Sequence, residues 1–229
     1  YVIIVGILTY GICNFTFPKL SRLNVLGEHD AFSRTARSGL LSALYVVLPI
    51  MAAVMLLSGE GTAILYQRGE FDASAASYTA NALKYISIGM PAFCIIEIVS
   101  RIMYSLTKVR VPMLAALCGI FVNIVFSSIL IHVPALEVGS VALANALGQI
   151  AAASVLVLSL VRMSKGILDK SFMRELLKII LCTLLAAAAM YMIYSLLNSR
   201  LIIDFTSNAN RIYNILNRII LDFRKSLFF

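Results

Sequence analysis

Long uncharged stretches alternate with short polar connections along this chain, and this pattern predicts its fold class. Four stretches of about 20 residues lack Asp, Glu, Lys and Arg: 40–59, 111–131, 138–161 and 179–199. Residues 1–17 are also uncharged, and residues 78–100 carry only Lys84 and Glu97. A helix of about 20 apolar residues crosses a hydrocarbon core about 30 Å thick. The pattern therefore predicts an all-α, polytopic transmembrane bundle of about six membrane-spanning helices.

The boundaries of these elements follow from the positions of charges, prolines and polar runs. We predict spans at residues 1–17, about 40–59, 78–104, 111–131, 138–161 and about 175–198. Pro18 is expected to end the first span, and residues 28–38 are expected to form a separate surface helix. Residues 60–77 are expected to be an external loop with a brief apolar turn.

On this interpretation the chain has three parts. Residues 1–163 form a bundle of five spans, and residues 164–199 add one span after a basic loop. Residues 200–229 have apolar side chains at helical spacing opposite a charged face, with no stretch long enough to cross. That tail is predicted to be an amphipathic helix lying in the membrane interface, or an altered end of a chain that once crossed again.

Composition supports a membrane protein. Hydrophobic residues make up 61% of the chain and charged residues 13%, and the mean hydropathy is +0.93. A soluble domain carries about 25% charged residues, so that class is excluded. No cleavable signal peptide is expected, because the first residues lack a basic region and a small-residue cleavage site.

The net charge of +8 could indicate a nucleic-acid partner, but the placement of the charges argues against one. Twelve Lys and Arg residues fall in the segments 18–39, 101–110 and 162–178. The loops between them, 60–77 and 132–137, contain a single basic residue, Arg68. Basic residues concentrate on the cytoplasmic side of membrane proteins. The basic segments are therefore predicted to be cytoplasmic, and the excess charge to orient the protein.

The polar chemistry of soluble enzymes is missing from the sequence pattern. The four cysteines each fall within a predicted helix, without a CxxC spacing. His29 and His132 have no partner at metal-ligand spacing. No nucleophile–base set, Gly-rich phosphate loop or pair of catalytic carboxylates is found. We therefore predict neither an enzyme nor a metal or cofactor site.

Ionisable residues within the predicted spans are the first candidates for function, because burying a charge in a membrane is costly. Glu97 and Arg101 are four residues apart, so they share a helix face and can form an ion pair. One interpretation is an internal salt bridge near the cytoplasmic boundary. The other is a polar patch that faces a cavity and meets an anionic substrate.

Uncharged polar residues and two prolines are the remaining candidates. Asn145 and Gln149 are also four residues apart, and Asn123 lies in the preceding span. These amides could form hydrogen bonds between helices, or they could line a hydrophilic cleft. Pro49 and Pro91 lie inside predicted spans, where proline is tolerated but kinks the helix. We consider both prolines candidate hinges, with static kinks as the alternative.

Several segments of the chain resemble one family of membrane proteins, the MurJ/MviN lipid II flippases. These belong to the superfamily of multidrug and oligosaccharidyl-lipid exporters. The segments, which span about residues 4–163 in the family's order, are GILTYGICNFTFPKLSRL with HDAFSRTARSGL, LYQRGEFDASAASYTANAL, SRIMYSLTKVRVPM and LEVGSVALANALGQ. The external segment LYQRGEFDASAASYTANAL is the most specific of them.

The resemblance implies a protein of fourteen helices, with two six-helix lobes and two additional helices. This chain would contain helices eight to thirteen, and would lack the first lobe, helix seven and the fourteenth helix. Arg101 matches an arginine of the family's motif, whereas Glu97 stands where the family has no expected acid. Residues 200–229 stand where the resemblance leads us to expect an apolar fourteenth helix, which with the helix before it forms the family's groove for the lipid tail.

The resemblance also implies a function. Such proteins move the lipid-linked peptidoglycan precursor from the inner to the outer leaflet of the bacterial cytoplasmic membrane by alternating access. The expected partners are this precursor, membrane lipids and the first lobe, with no nucleic acid. Two alternatives remain open: a related exporter that moves cations or another lipid-linked oligosaccharide, and a truncated membrane fragment without transport.

Overall fold

The computed structural model describes residues 2–66, 73–133, 138–163 and 167–201, and the regular structure in these ranges is entirely α-helical. The helices are α1 (Val2–Val25), α2 (His29–Leu56), α3 (Ser58–Tyr66), α4 (Ala73–Ser87), α5 (Met90–Ser105), α6 (Arg110–Leu130), α7 (Gly139–Met163) and α8 (Lys170–Leu201). The predicted all-α class is confirmed. The predicted tail falls almost entirely outside the described ranges, and the three-part division of the chain stays a prediction.

Helices long and apolar enough to cross a membrane make up most of the molecule. Over the described residues these are α2, α6, α7 and α8, and α4 with α5 form a fifth if the bent pair is one span. The chain is therefore a multi-pass membrane protein. This count is lower than the predicted six, which also included residues 1–17; that segment lies in α1, packed against α2 and α5.

The first two helices are longer than predicted. Pro18 lies inside α1, which continues to Val25, so the expectation that it ends the helix was wrong. A turn with Gly27 at φ +70° follows, and α2 then runs unbroken through Pro49, without a separate surface helix at 28–38. Packing explains both results, because Leu20 and Phe32 are buried in the common core and hold these turns in place.

The span predicted at 78–104 is two helices. The first, α4, already begins at Ala73, and the two helices meet at a bend of 43° between Ser87 and Met90. Pro91 therefore occupies the first turn of α5 and not a helix interior, since proline lacks the N–H that continues a helix. A Cβ on Gly89 would lie 3.1 Å from Ala146 Cα of α7, so the break also allows a close approach of two backbones.

Two further boundaries differ from the prediction. The segment predicted as an external loop contains most of the nine-residue helix α3, which begins at Ser58, and the start of α4. The last helix begins at Lys170, earlier than the predicted 175, because Asp169 Oδ1 accepts a hydrogen bond from Phe172 N at 2.8 Å and caps its first turn. The spans predicted at 111–131 and 138–161 match α6 and α7 closely.

Two kinds of packing hold the bundle together. A core of larger apolar side chains lies between α1, α2 and α5, and includes Val47, Val99 and Ile102. In contrast, α6 packs on α7 through small residues. A Cβ added to Gly119 would lie 2.9 Å from Gly148 O, and one added to Gly148 would lie 2.7 Å from Gly119 O. This crossing is therefore a backbone-to-backbone contact that only glycine permits.

Backbone strain after α5 leads to a stability prediction. Thr107 has φ +60°, a region that a β-branched residue occupies at a cost. Thr107→Gly is expected to stabilise the protein by about 0.5–1 kcal/mol. Glycine relieves the backbone strain, and this gain exceeds two costs: the greater entropy of the unfolded chain and the loss of an exposed hydrogen bond from Thr107 to Leu106 O. Thermal denaturation in detergent measures the effect. Thr35→Gly, inside α2, should shift the midpoint in the opposite direction.

Candidate functional site

The ion pair predicted in the third span is present on α5. Arg101 Nη2 lies 3.8 Å from Glu97 Oε2, one helical turn away. The side chains are 38% and 22% exposed, respectively, so neither is sealed inside the bundle. At 3.8 Å the contact is loose, and both groups retain capacity to bind a further partner.

The pair lies where α5 packs on α1. The Cys13 side chain of α1 lies within electrostatic reach of both Arg101 and Glu97, and it is 3% exposed. Beside it, Thr9 is fully buried, next to the Cys94 thiol of α5. One side of the ion pair is thus backed by a sealed α1–α5 contact, and the other side is open.

A row of exposed polar side chains on α4 was not recognised in the sequence. Ser74, Ser77, Asn81 and Lys84 are all exposed and recur every three to four residues, so they share one face of α4. Of these four residues, only Lys84 stands out in the sequence, as a charge within a predicted span. The spacing of three to four residues is typical of one helix face. It was not used because residues 74 and 77 were predicted to lie in a loop, whereas α4 begins at Ala73. Glu97 and Arg101 on α5 are partly exposed, so both halves of the bent pair α4–α5 carry accessible polar groups; we call these six residues the polar face.

The predicted amides lie on the other helix pair. Gln149 Nε2 donates a hydrogen bond to Asn145 Oδ1 at 2.7 Å on α7. On α6, Asn123 Oδ1 accepts a hydrogen bond from Ser127 Oγ at 3.1 Å. Asn123 also lies at the α6–α7 crossing, since a Cβ on Gly148 would be 3.0 Å from its Cβ. All three amides are partly buried, and these two hydrogen bonds each join residues of the same helix.

The described residues offer little for other chemistry. Within them, no three His, Cys, Asp or Glu side chains come together as a metal site would require. The candidate hinge Pro49 lies inside the continuous helix α2. Pro91 directly follows the bend between α4 and α5. The arrangement suits non-covalent binding of a charged group at a membrane-embedded surface.

Comparison with known proteins places the chain in a family. A family model described as lipid II flippase MurJ matches residues 1–209. A probable lipid II flippase MurJ of Vibrio cholerae is 27% identical over 124 residues, which are 54% of this chain and 24% of that protein. The protein of the same description from Rhizobium meliloti is 22% identical over 191 residues, which are 83% of this chain and 35% of that protein.

A solved structure of lipid II flippase MurJ in an inward closed conformation shares the fold. It superposes with a TM-score of 0.67 at 20% identity, covering 87% of this chain and 45% of that chain. The matches thus span less than half the length of these relatives. Because the family model matches well over half of this chain's residues, the chain belongs to the lipid II flippase MurJ family.

Proposed function

We propose that the protein to which this chain contributes moves the lipid-linked peptidoglycan precursor from the inner to the outer leaflet of the bacterial cytoplasmic membrane. This chain contributes part of the second lobe, and the first lobe completes the transport path. The substrate headgroup carries phosphate and sugar, whereas its polyprenyl tail remains among the membrane lipids. The observation that carries the proposal is the polar face of α4 and α5 in a chain of this family.

The position of the polar face supports this role for a physical reason. A charged side chain at the centre of a membrane helix costs about 2.5–3.5 kcal/mol on insertion scales. Lys84 is exposed and Glu97 and Arg101 are partly exposed on the described bundle, so contact with lipid would incur part of that cost. A water-filled cleft between this surface and the first lobe removes it. Arg101 then supplies a cation to the phosphate groups of the substrate.

Alternating access requires helices that bend between states. We place this bending at the 43° break ahead of Pro91 and at Pro49 in α2. Pro49 removes one backbone hydrogen bond inside α2, and the helical path is already interrupted between α4 and α5, so both positions resist bending less than a continuous helix. The ion pair argues against the cation-exporter alternative, because a transported cation would have to compete with Arg101 for Glu97.

Complementation tests the proposal. The full-length protein is expected to restore growth in cells depleted of their own lipid II flippase, and to restore lipid II exposed at the outer face of the membrane. Growth and exposure are both scored, because growth alone could recover by an indirect route. A well-expressed, membrane-inserted protein that restores neither would contradict the flippase assignment.

A further inference from the structure

The last described helix, α8, packs only lightly against the bundle along its middle. Only 6% of the most apolar 18-residue stretch of α8 is buried. Leu184 and Leu185, in the middle of the helix, are 60% and 71% exposed. Within a membrane, apolar side chains gain little by leaving lipid for another helix. Apolar contact therefore positions the middle of α8 only weakly, since Phe172, Leu176 and Ile179 join or adjoin the core near the start of the helix alone.

A network around Arg37 joins α8 to α2 at one end. Arg37 Nη1 donates to Asp169 Oδ1 at 2.9 Å, and Nη2 donates to Ser171 Oγ at 2.7 Å and to Glu175 Oε1 at 3.0 Å. The Arg37 side chain is 19% exposed, whereas the side chains of Asp169 and Glu175 are 45% and 48% exposed, so the guanidinium is partly covered and its acidic partners face outward. Asp169 also caps α8, which links the start of the helix to the same guanidinium. Charge-assisted contacts from a planar guanidinium are strong and directional.

A second polar contact joins α8 to α3 at the other end. Tyr194 Oη donates to Glu60 Oε1 at 2.5 Å. About 25 residues separate Asp169 from Tyr194, or about 37 Å at the helical rise of 1.5 Å per residue. That length exceeds a hydrocarbon core of about 30 Å. The two contacts therefore lie at opposite faces of the membrane, with the Arg37 network on the face predicted to be cytoplasmic.

We propose that Arg37 and Tyr194 are positioning residues that fasten α8 to α2 and α3 at the two membrane faces, so that the three helices move as one rigid body. The Arg37 network also sets the width of a groove of about 500 Å³ between α1, α2 and α8, because Glu175 both lines this groove and binds Arg37. The proposal concerns the mechanics of the bundle and does not depend on which substrate the protein moves.

Distances between spin labels test the proposal on the full-length protein in lipid nanodiscs. The native cysteines are replaced by alanine. One labelled pair, the inner pair, joins α2 to α8 at the exposed positions Asp30 and Met173. A second labelled pair, the outer pair, joins the opposite ends at Leu57 and Met192, which are also exposed. In Arg37→Met, the inner pair is expected to show longer distances and a distribution broader by several ångströms, while the outer pair keeps its distances. An unchanged outer pair shows that the variant is folded.

Matched variants distinguish the loss of these specific contacts to α8 from a general effect of substituting a residue on α2 or α8. Arg34→Met removes an exposed arginine one turn earlier on α2 and should leave both pairs unchanged. Arg37→Lys keeps the charge without the fork of donors and should broaden the inner pair less. Tyr194→Phe removes one hydroxyl and should broaden the outer pair alone. Inner distances that stay unchanged in both Arg37 variants, or change equally in Arg34→Met, overturn the role of Arg37. An unchanged outer pair in Tyr194→Phe overturns the role of Tyr194.

Discussion

Replacing Arg101 with Ala is expected to abolish complementation and to lower lipid II exposure at the outer face by about 10- to 100-fold. The reason is that a hydrogen bond to a charged group contributes about 1.5–3 kcal/mol, and about 1.4 kcal/mol corresponds to ten-fold. The substitution also leaves Glu97 without its partner in a membrane-embedded helix. Lipid II exposure is measured in cells with normal levels of the variant protein.

The double variant Glu97→Gln with Arg101→Gln separates two explanations of that loss. If Arg101 only neutralises Glu97, removing both charges at nearly constant volume restores transport. If Arg101 binds the substrate, the double variant remains defective. Lys108→Ala serves as the matched control, because Lys108 is exposed beyond the end of α5. Normal transport by Arg101→Ala at a normal protein level would remove Arg101 from the site.

Replacing Gly148 with Ala is expected to destabilise the bundle by about 1–3 kcal/mol, because one added methyl group overpacks the α6–α7 contact. The new Cβ would lie 2.7 Å from Gly119 O, and a backbone carbonyl cannot rotate away as a side chain can. The two helices must separate, which also displaces Asn123 at the same crossing. The midpoint of thermal denaturation in detergent measures the loss.

Two variants show whether the crossing itself is responsible. Gly11→Ala places the same methyl group on α1 where no atom lies within 4 Å, so its midpoint should stay the same or rise slightly. Gly119→Ala combined with Gly148→Ala should cost less than the sum of the single changes, because both substitutions open one contact. Equal midpoints for Gly148→Ala and Gly11→Ala would show that the crossing is not tightly packed in the membrane.

The candidate site was partly accessible from the sequence. Glu97 and Arg101 were found because a spacing of four residues on a helix is a local property that brings side chains together in any fold. The exposed residues Ser74 and Ser77 were missed because α4 begins earlier than predicted, and without them Asn81 did not stand out as part of a polar row. The Arg37 network could not be predicted at all, since Arg37 and Asp169 are 132 positions apart in the chain.

The sequence by itself determined the membrane-spanning character, the positions of α6 and α7, and the family. These properties follow from local hydropathy, segment length and short motifs, which act independently of distant residues. Only the tertiary structure decided that α1 continues through Pro18, that the third span breaks before Pro91, and that α8 is held through Arg37. The physical reason is that the core that buries Leu20, the surface of α7 that Gly89 approaches, and the partners of the Arg37 guanidinium all come from distant parts of the chain.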